Sequence, residues 1–349
     1  MNLLWPGVPL ALGSAVLFGA VAPASKLLLG SLSPQLLAGL LYLGAGIGLA
    51  LVQAARGPLG LPAQEARLRR GDLPWLAAVI LAGGVLGPLL LMLGLSRTPA
   101  ASGALLLNLE SLATMAIAWL AFHENVDRRL LLGAASILAG AVVLSWNAKG
   151  VSFDAGSALI AAACLAWGID NNLTRKLSAA DPVLIAMVKG LVAGAVNTAL
   201  AIGLGAALPP AGTVASAMVV GFLGVGVSLV AFVLALRHLG AARTGAYFSL
   251  APFVGALIAV VALGETMTVQ LVVAGALMAA GLWLHLAERH QHEHEHEGLE
   301  HDHIHTHDEH HQHTHDGPVT EPHAHWHRHG RLRHAHPHYP DLHHRHRHS

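Results

Sequence analysis

The chain has 349 residues, 54% of them hydrophobic and only 11% charged, with 20 acidic and 20 basic side chains and no formal net charge. A soluble domain carries roughly 25% charged residues, so this composition excludes an ordinary soluble globular protein and indicates a polytopic membrane protein. The zero net charge hides an asymmetry: 11 acidic and 6 basic residues follow Ala287, which leaves 9 acidic and 14 basic side chains before it.

A transmembrane helix needs about 20 mostly apolar residues. Taken in order, the candidate spans are residues 8–29, 35–54, 74–95, 99–121, 129–147, 156–177, 183–206, 213–236, 241–263 and 268–287. The first is read as a mature span, because a secretory signal needs a basic n-region and no charge precedes Lys26. Short connections carrying Pro, Gly or a charge separate the spans, among them Ser33-Pro34, Asp181-Pro182 and Pro209-Pro210. The distribution of Lys and Arg sets the orientation. One side collects Arg56, Arg67, Arg69, Arg70, Arg128, Arg129, Arg175, Lys176, Arg237 and Arg243, while the other holds Lys26, Arg97 and Lys149. Both termini are therefore expected in the cytoplasm, with the protein multi-pass in the inner or plasma membrane.

Residues 95–146 lie without a gap over residues 236–287 at an offset of 141, with 12 of 52 positions identical. The informative matches are Glu124 over Glu265 and Gly140 over Gly281. At an offset of 149, Phe18-Gly19 lies over Trp167-Gly168 and Lys26 over Arg175. Such self-similarity marks a duplicated unit. The units, residues 7–148 and 155–287, have five spans each, so the second must run inverted, and inverted repeats place a substrate site near mid-membrane. Gly44/Gly48, Gly83/Gly87 and Gly190/Gly194 are spaced for close helix approach. Cys164, the only cysteine, excludes an intrachain disulfide and reads as a small packing residue.

Charges inside a bilayer are costly, about 2.5–3.5 kcal/mol at a helix centre, so each needs a reason. Glu110, midway along the fourth span, should face the bundle interior, either as a proton-binding or substrate-contacting carboxylate or as a protonated acid bonded to a neighbouring helix. Asp170-Asn171-Asn172 is the most polar run within any span. Trp167, Asp170 and Thr174 share one helical face. Lys189 enters the next span at a depth matching Asp170, which points to an ion pair across the hairpin. That pair either offsets two buried charges or lines the transport cavity. Lys26 and Arg175, near helix ends, are expected to snorkel to the interface. Glu124 and Glu265 are expected to be interfacial carboxylates near the N-terminus of the following helix, and His123, His238 and His285 to be structural.

The tail, residues 288–349, holds 23 of the 26 histidines, many alternating with Asp and Glu. Imidazole is the commonest metal-binding side chain and suits Zn, Ni, Co or Cu. His292, His294, His296, His301, His303, His305 and His307 are candidate ligands. With little apolar content the tail is expected to be disordered without metal, and its charge to change steeply with pH.

Several of these residues carry a family resemblance: FGAVAPASK and WGIDNNLTRK in the first span of each half, the Thr98-to-Trp146 block with Asn108-Leu109-Glu110 and Glu124, and Gly240 to Leu284 with Pro252 and Glu265. Both halves resemble the EamA domain of the drug/metabolite transporter superfamily. The resemblance implies an all-α integral membrane fold of ten helices, a five-plus-five inverted repeat, and alternating-access movement of small metabolites. It adds Asn108 to the substrate or proton pathway and favours a functional role for Lys26. One departure is Ser111, where the family has a proline; it leaves the bend of the fourth span open.

The leading expectation is a secondary transporter of a small organic metabolite, coupled to protons through Glu110 or Asp170, with the lipid bilayer and the solute as partners. There is no G-x-x-x-x-G-K-[ST] nucleotide motif. No enzymatic activity, required cofactor or nucleic-acid partner is expected. The alternative is a divalent-metal transporter with the tail as collector or sensor. The spans argue against it, for they hold no paired His, no Cys cluster and only two well-buried carboxylates. A metal- or pH-responsive sensor without transport is a third reading.

Overall fold

The computed structural model describes residues 7–56, 70–122, 128–147, 150–151, 154–174, 177 and 181–286, together with 290–296, 300–305, 323–328 and 332–338 of the tail. The body is helical: α1 (Gly7–Gly19), α2 (Val21–Leu28), α3 (Pro34–Arg56), α4 (Leu73–Val79), α5 (Gly87–Leu95), α6 (Ala100–Leu106), α7 (Leu109–Phe122), α8 (Arg128–Leu144), α9 (Ala155–Thr174), α10 (Pro182–Gly203), α11 (Ala211–Gly221), α12 (Ser228–Phe248), α13 (Ala251–Leu263) and α14 (Val269–Leu286). Among the described residues, six helical stretches are long and apolar enough to cross a membrane: Gly7–Leu28, Pro34–Ala55, Arg70–Leu95, Ala100–Ala121, Val183–Gly203 and Ala211–Ala235. Ala251–Leu263 and Val269–His285 are apolar and shorter. Apolar side chains on every side of these helices leave Val261, Leu204 and Leu120 exposed, at 75%, 67% and 69%, as expected of helices that meet lipid instead of water. The body is that of a helical membrane protein.

Two of the long stretches are not α-helical throughout. Ile80–Leu86 joins α4 to α5, and Phe222–Val227 joins α11 to α12, each as a π-helical turn containing glycines. A π turn carries hydrogen bonds one residue wider than an α turn and turns some carbonyls toward neighbours. The fourth expected span also breaks. Leu107 and Asn108 interrupt it between α6 and α7 although no proline follows Glu110. Here Asn108 Nδ2 donates to Leu105 O at 2.8 Å and Ser111 Oγ to Asn108 O at 2.8 Å. Side-chain capping of freed carbonyls thus gives the bend that the missing proline left open.

The α12 helix hides a reversal. Its Phe232 and Phe248 rings lie 5.0 Å apart, whereas sixteen residues of straight helix would separate them by about 24 Å. The chain therefore folds back between them, where the sequence places the connection between two spans.

The helices pair in a regular scheme. α3 packs on α10, α8 on α14, α5 and α7 on α9, α1 on α12 and α13, and α6 on α13. Small residues let the backbones meet. A Cβ on Gly190 would lie 2.7 Å from Gly46 N, and one on Gly194 2.9 Å from Gly39 O. Gly44 seats the Met218 backbone and Gly48 the Phe222 ring, so these glycines serve contacts within the chain. Between α8 and α14, a Cβ on Gly140 would stand 2.9 Å from Ala274 O and one on Gly281 2.5 Å from Gly133 O. Ser136 Oγ donates to Leu277 O there at 2.7 Å. Cys164, 1% exposed, is a packing residue whose thiol points at Leu106 O, 3.6 Å away.

A two-residue ladder, β1 (Trp146–Asn147) with β2 (Gly150–Val151), links α8 to α9. In the tail, β3 (His290–His296) pairs antiparallel with β6 (Leu332–His338), and β4 (Glu300–His305) with β5 (His323–Arg328).

Candidate functional site

Inside the bundle, α9 and α10 bring together the two charges that the sequence placed at equal depth. Lys189 Nζ donates to Asp170 Oδ2, with the side chains only 17% and 7% exposed. Thr174 Oγ1, one turn along α9, donates to the other carboxylate oxygen at 3.3 Å. Opposite the pair stands the π turn of Ile80–Leu86, whose Gly83 leaves no room for a side chain: a Cβ there would fall on the Asp170 carboxylate. Beside it, a Cβ on Gly84 would come within 2.7 Å of Ala193 Cβ and 3.2 Å of Lys189 Cγ, and one on Gly87 within 2.6 Å of Trp167 Nε1. The sequence Gly83-Gly84 is thus required by close approach.

The carbonyls of this turn are taken up by side chains from three helices. Gly83 O accepts from Tyr42 OH and from Trp167 Nε1, both at 3.0 Å. Asn197 Nδ2 donates to Val85 O at 3.2 Å and to Gly84 O at 3.5 Å. Buried carbonyls need partners, and α3, α9 and α10 supply them here. Asn197 is fully buried and its Oδ1 has no partner among the described residues.

Glu110, half-buried in the first turn of α7, accepts from Asn171 Nδ2 at 3.0 Å, and Asn171 also donates to Thr114 Oγ1 at 3.1 Å. Asn172, 2% exposed, donates to Thr114 O at 3.0 Å and to Gly168 O at 2.8 Å, tying α9 to α7. Glu110 lies within electrostatic reach of both Asp170 and Lys189. One ammonium, two carboxyl groups, two ring systems and several amides therefore share one region of the bundle. In low dielectric such groups bind opposite charge strongly and demand compensation when bare.

Of the expected pathway residues, Asp170, Lys189, Trp167, Glu110 and Asn171 gather here. Asn108 lies next to the bend, 5% exposed, its amide on Leu105 O and 3.8 Å from Met278 Sδ. Lys26, half-buried, lies elsewhere. Its ammonium donates to Leu95 O at 2.5 Å and Thr98 O at 2.7 Å, because the end of α5 presents unpaired carbonyls within reach. Glu265 does not serve the helix that follows it. Its two oxygens accept from Ala100 N at 2.6 Å and Ala101 N at 2.8 Å, at the start of α6. His285 Nε2 lies 3.0 Å from Leu130 O, a structural contact. Glu124, Arg175 and His123 lie outside the described residues. His292, His294 and His296 fall on β3, and His301, His303 and His305 on β4, while His307 lies outside the described residues. Among the described residues no three His, Cys, Asp or Glu side chains converge as a metal site.

Sequence reasoning passed over Tyr42, Thr114 and Asn197. Asn197 did carry a signal: Lys189, Ala193 and Asn197 recur every four residues and share one face of α10. Thr114 carried one too, four residues after Glu110 on the same face of α7, whereas Tyr42 stands in an apolar span with no periodic partner to mark it.

Two glycine-bearing π turns thus thread the helices, and buried charges meet between α9 and α10. The EamA-like transporter family matches residues 5–146 and, a second time, 154–287. The chain belongs to that family. An uncharacterized transporter of Methanothermobacter thermautotrophicus is 30% identical over 81% of this chain and 87% of its own length. A probable terminal-alkyne amino-acid exporter of Streptantibioticus cattleyicolor is 28% identical over 69% of this chain and 80% of its own. A protein of known crystal structure superposes with a TM-score of 0.58 at 21% identity, over 80% of this chain and 95% of that one, and so shares the fold.

Proposed function

We propose that this protein is a secondary active transporter that moves a small zwitterionic metabolite across the cytoplasmic membrane by alternating access. The observation that carries the reading is the Asp170–Lys189 pair, set against the Gly83 turn with Glu110 close by. A zwitterion can replace such a pair, its carboxylate against Lys189 and its ammonium against Asp170 or Glu110. Neither buried charge is then left uncompensated. Trp167 and Tyr42 add aromatic surface. The Streptantibioticus relative, described as a probable terminal-alkyne amino-acid exporter, fits this chemistry.

The architecture in this reading is ten membrane crossings in two inverted halves, residues 7–148 and 155–287. Three observations support it. The family matches twice. The π turns Ile80–Leu86 and Phe222–Val227 stand at the 141-residue offset of the repeat. Contacts also recur in equivalent pairs: Gly83 seats Asp170 and Gly224 seats Val21, while Gly168 meets Ala113 and Gly19 meets Val254. Ser136 and Leu277, equivalent positions, touch one another, as residues on a pseudo-two-fold axis would. The charge distribution supports cytoplasmic termini.

Proteoliposomes test the function. Counterflow of labelled amino acids should be carried by the protein, and a pH gradient should drive accumulation that Glu110→Gln abolishes while leaving exchange. Failure to carry any zwitterion, with cationic or neutral solutes carried instead, refutes the substrate class. Metal transport finds no supporting observation. Metal binding by the tail histidines, with Zn, Ni, Co or Cu, stands as a separate proposal resting on sequence alone.

A further inference from the structure

We propose that Lys26 and Glu265 are positioning residues that together latch one end of the bundle shut, by gripping the α5–α6 corner from two sides. The inference rests on the alternating-access reading but on different residues from the substrate site. The corner runs through Ser96–Pro99. On one side of it, Lys26 of α2 donates to Leu95 O and Thr98 O, at the end of α5. On the other, both oxygens of Glu265 accept the first two N–H groups of α6, at 2.6 and 2.8 Å. Helix ends leave such carbonyls and N–H groups without intrahelical partners. The N-terminus of a helix favours an anion and the C-terminus a cation, so each charge sits on the end that suits it. Lys26 and Glu265 also lie within electrostatic reach of each other.

Local sequence aims Glu265 at this corner. Gly264 ends α13 in the left-handed region at φ 68°, a conformation that glycine adopts without strain. It turns the chain so that Glu265 leaves the helix toward α6. The latch thus ties three segments distant in sequence: α2, the α5–α6 corner and the α13–α14 corner.

Beneath it the bundle is sealed. Leu95 and Ala100 are fully buried, Ala101 is 2% exposed, Thr98 3%, Ala104 1% and Leu105 3%. Toward the substrate site, by contrast, Ser111 and Asn171 are exposed. Opening this end requires the corner to move relative to α2 or α13. That motion strands two carbonyls, two N–H groups and two charges unless they separate together. The charges therefore hold the closed state while contributing nothing to solute recognition.

The test is thiol accessibility in the full chain, purified into proteoliposomes, with Cys164→Ala removing the native cysteine. Ala104→Cys reports on the sealed end and Ile137→Cys, in the α8–α14 contact, reports on general loosening. With Glu265→Ala or Lys26→Met added, a hydrophilic maleimide should modify Ala104→Cys at least ten-fold faster and Ile137→Cys no faster. Glu265→Asp, which keeps the anion, should restore slow labelling. Labelling of Ala104→Cys within two-fold of the control in both latch variants overturns the proposal. So does equal acceleration at both reporters, which signals loosening of the whole bundle. Glu265→Gln serves where Glu265→Ala does not fold, under the same criteria. Absent solute flux with latch-dependent labelling would refute the transport reading and leave the latch standing.

Discussion

Asp170→Asn offers the sharpest test of the ion pair. The substitution preserves shape and can keep an acceptor for Thr174, 3.3 Å away, but it removes the anion bonded to Lys189. The Lys189 side chain is 17% exposed and its methylene stem packs over Gly84, so water cannot replace the lost partner at little cost. Removing one member of a buried pair costs about 3–5 kcal/mol, whereas exchanging both for apolar groups of similar volume is often neutral. Asp170→Asn should therefore lower the melting temperature of the purified protein markedly, and Asp170→Asn/Lys189→Met should recover most of the loss. Transport should separate from stability. The double variant, though folded, should remain inactive, because it lacks the charges that the solute must meet. Measurement needs only thermal unfolding in nanodiscs and flux in proteoliposomes from the same preparation. A double variant as unstable as the single one would refute the burial argument. A stable double variant with normal flux would make the pair purely structural.

Gly83→Ala should abolish transport, since the added methyl meets the Asp170 carboxylate. Gly13→Ala, where a Cβ meets nothing within 4 Å, should leave flux and melting unchanged. Trp167→Phe removes one of two donors to Gly83 O and should cost about 1 kcal/mol. Combined with Tyr42→Phe it should cost more than the sum of the single changes, because the carbonyl is then bare, and a double-mutant cycle of melting measurements checks this. A chain ending at Ala287 should carry solute at the full-length rate but lose Ni and Zn binding in equilibrium dialysis. Loss of flux on truncation would give the tail a role in transport.

The candidate substrate region was legible in part because charge in an apolar span is conspicuous. Asp170, Lys189 and Glu110 stand out by composition, and helical periodicity joined Trp167 and Thr174 to Asp170. The π turn at Ile80–Leu86 left no such mark. Gly83/Gly87 read as a packing signal, but glycine is too common in this chain for that spacing to mark a π turn, and Tyr42 and Asn197 matter only because that turn presents carbonyls to them. Lys26 and Glu265 were conspicuous too, but the segment that each one bonds was not legible. A charge near a helix end can reach water, its own helix or a neighbour, and local sequence does not distinguish these.

Sequence alone determined that this chain lives in a membrane, that its halves are related, and which charges needed explaining. Those follow from the cost of placing polar groups in hydrocarbon, which acts on every residue separately. Tertiary structure decided which helix ends and which freed carbonyls meet which side chains. Those depend on packing between segments as distant as α2 and α13, where glycine contacts of a few ångströms set the register.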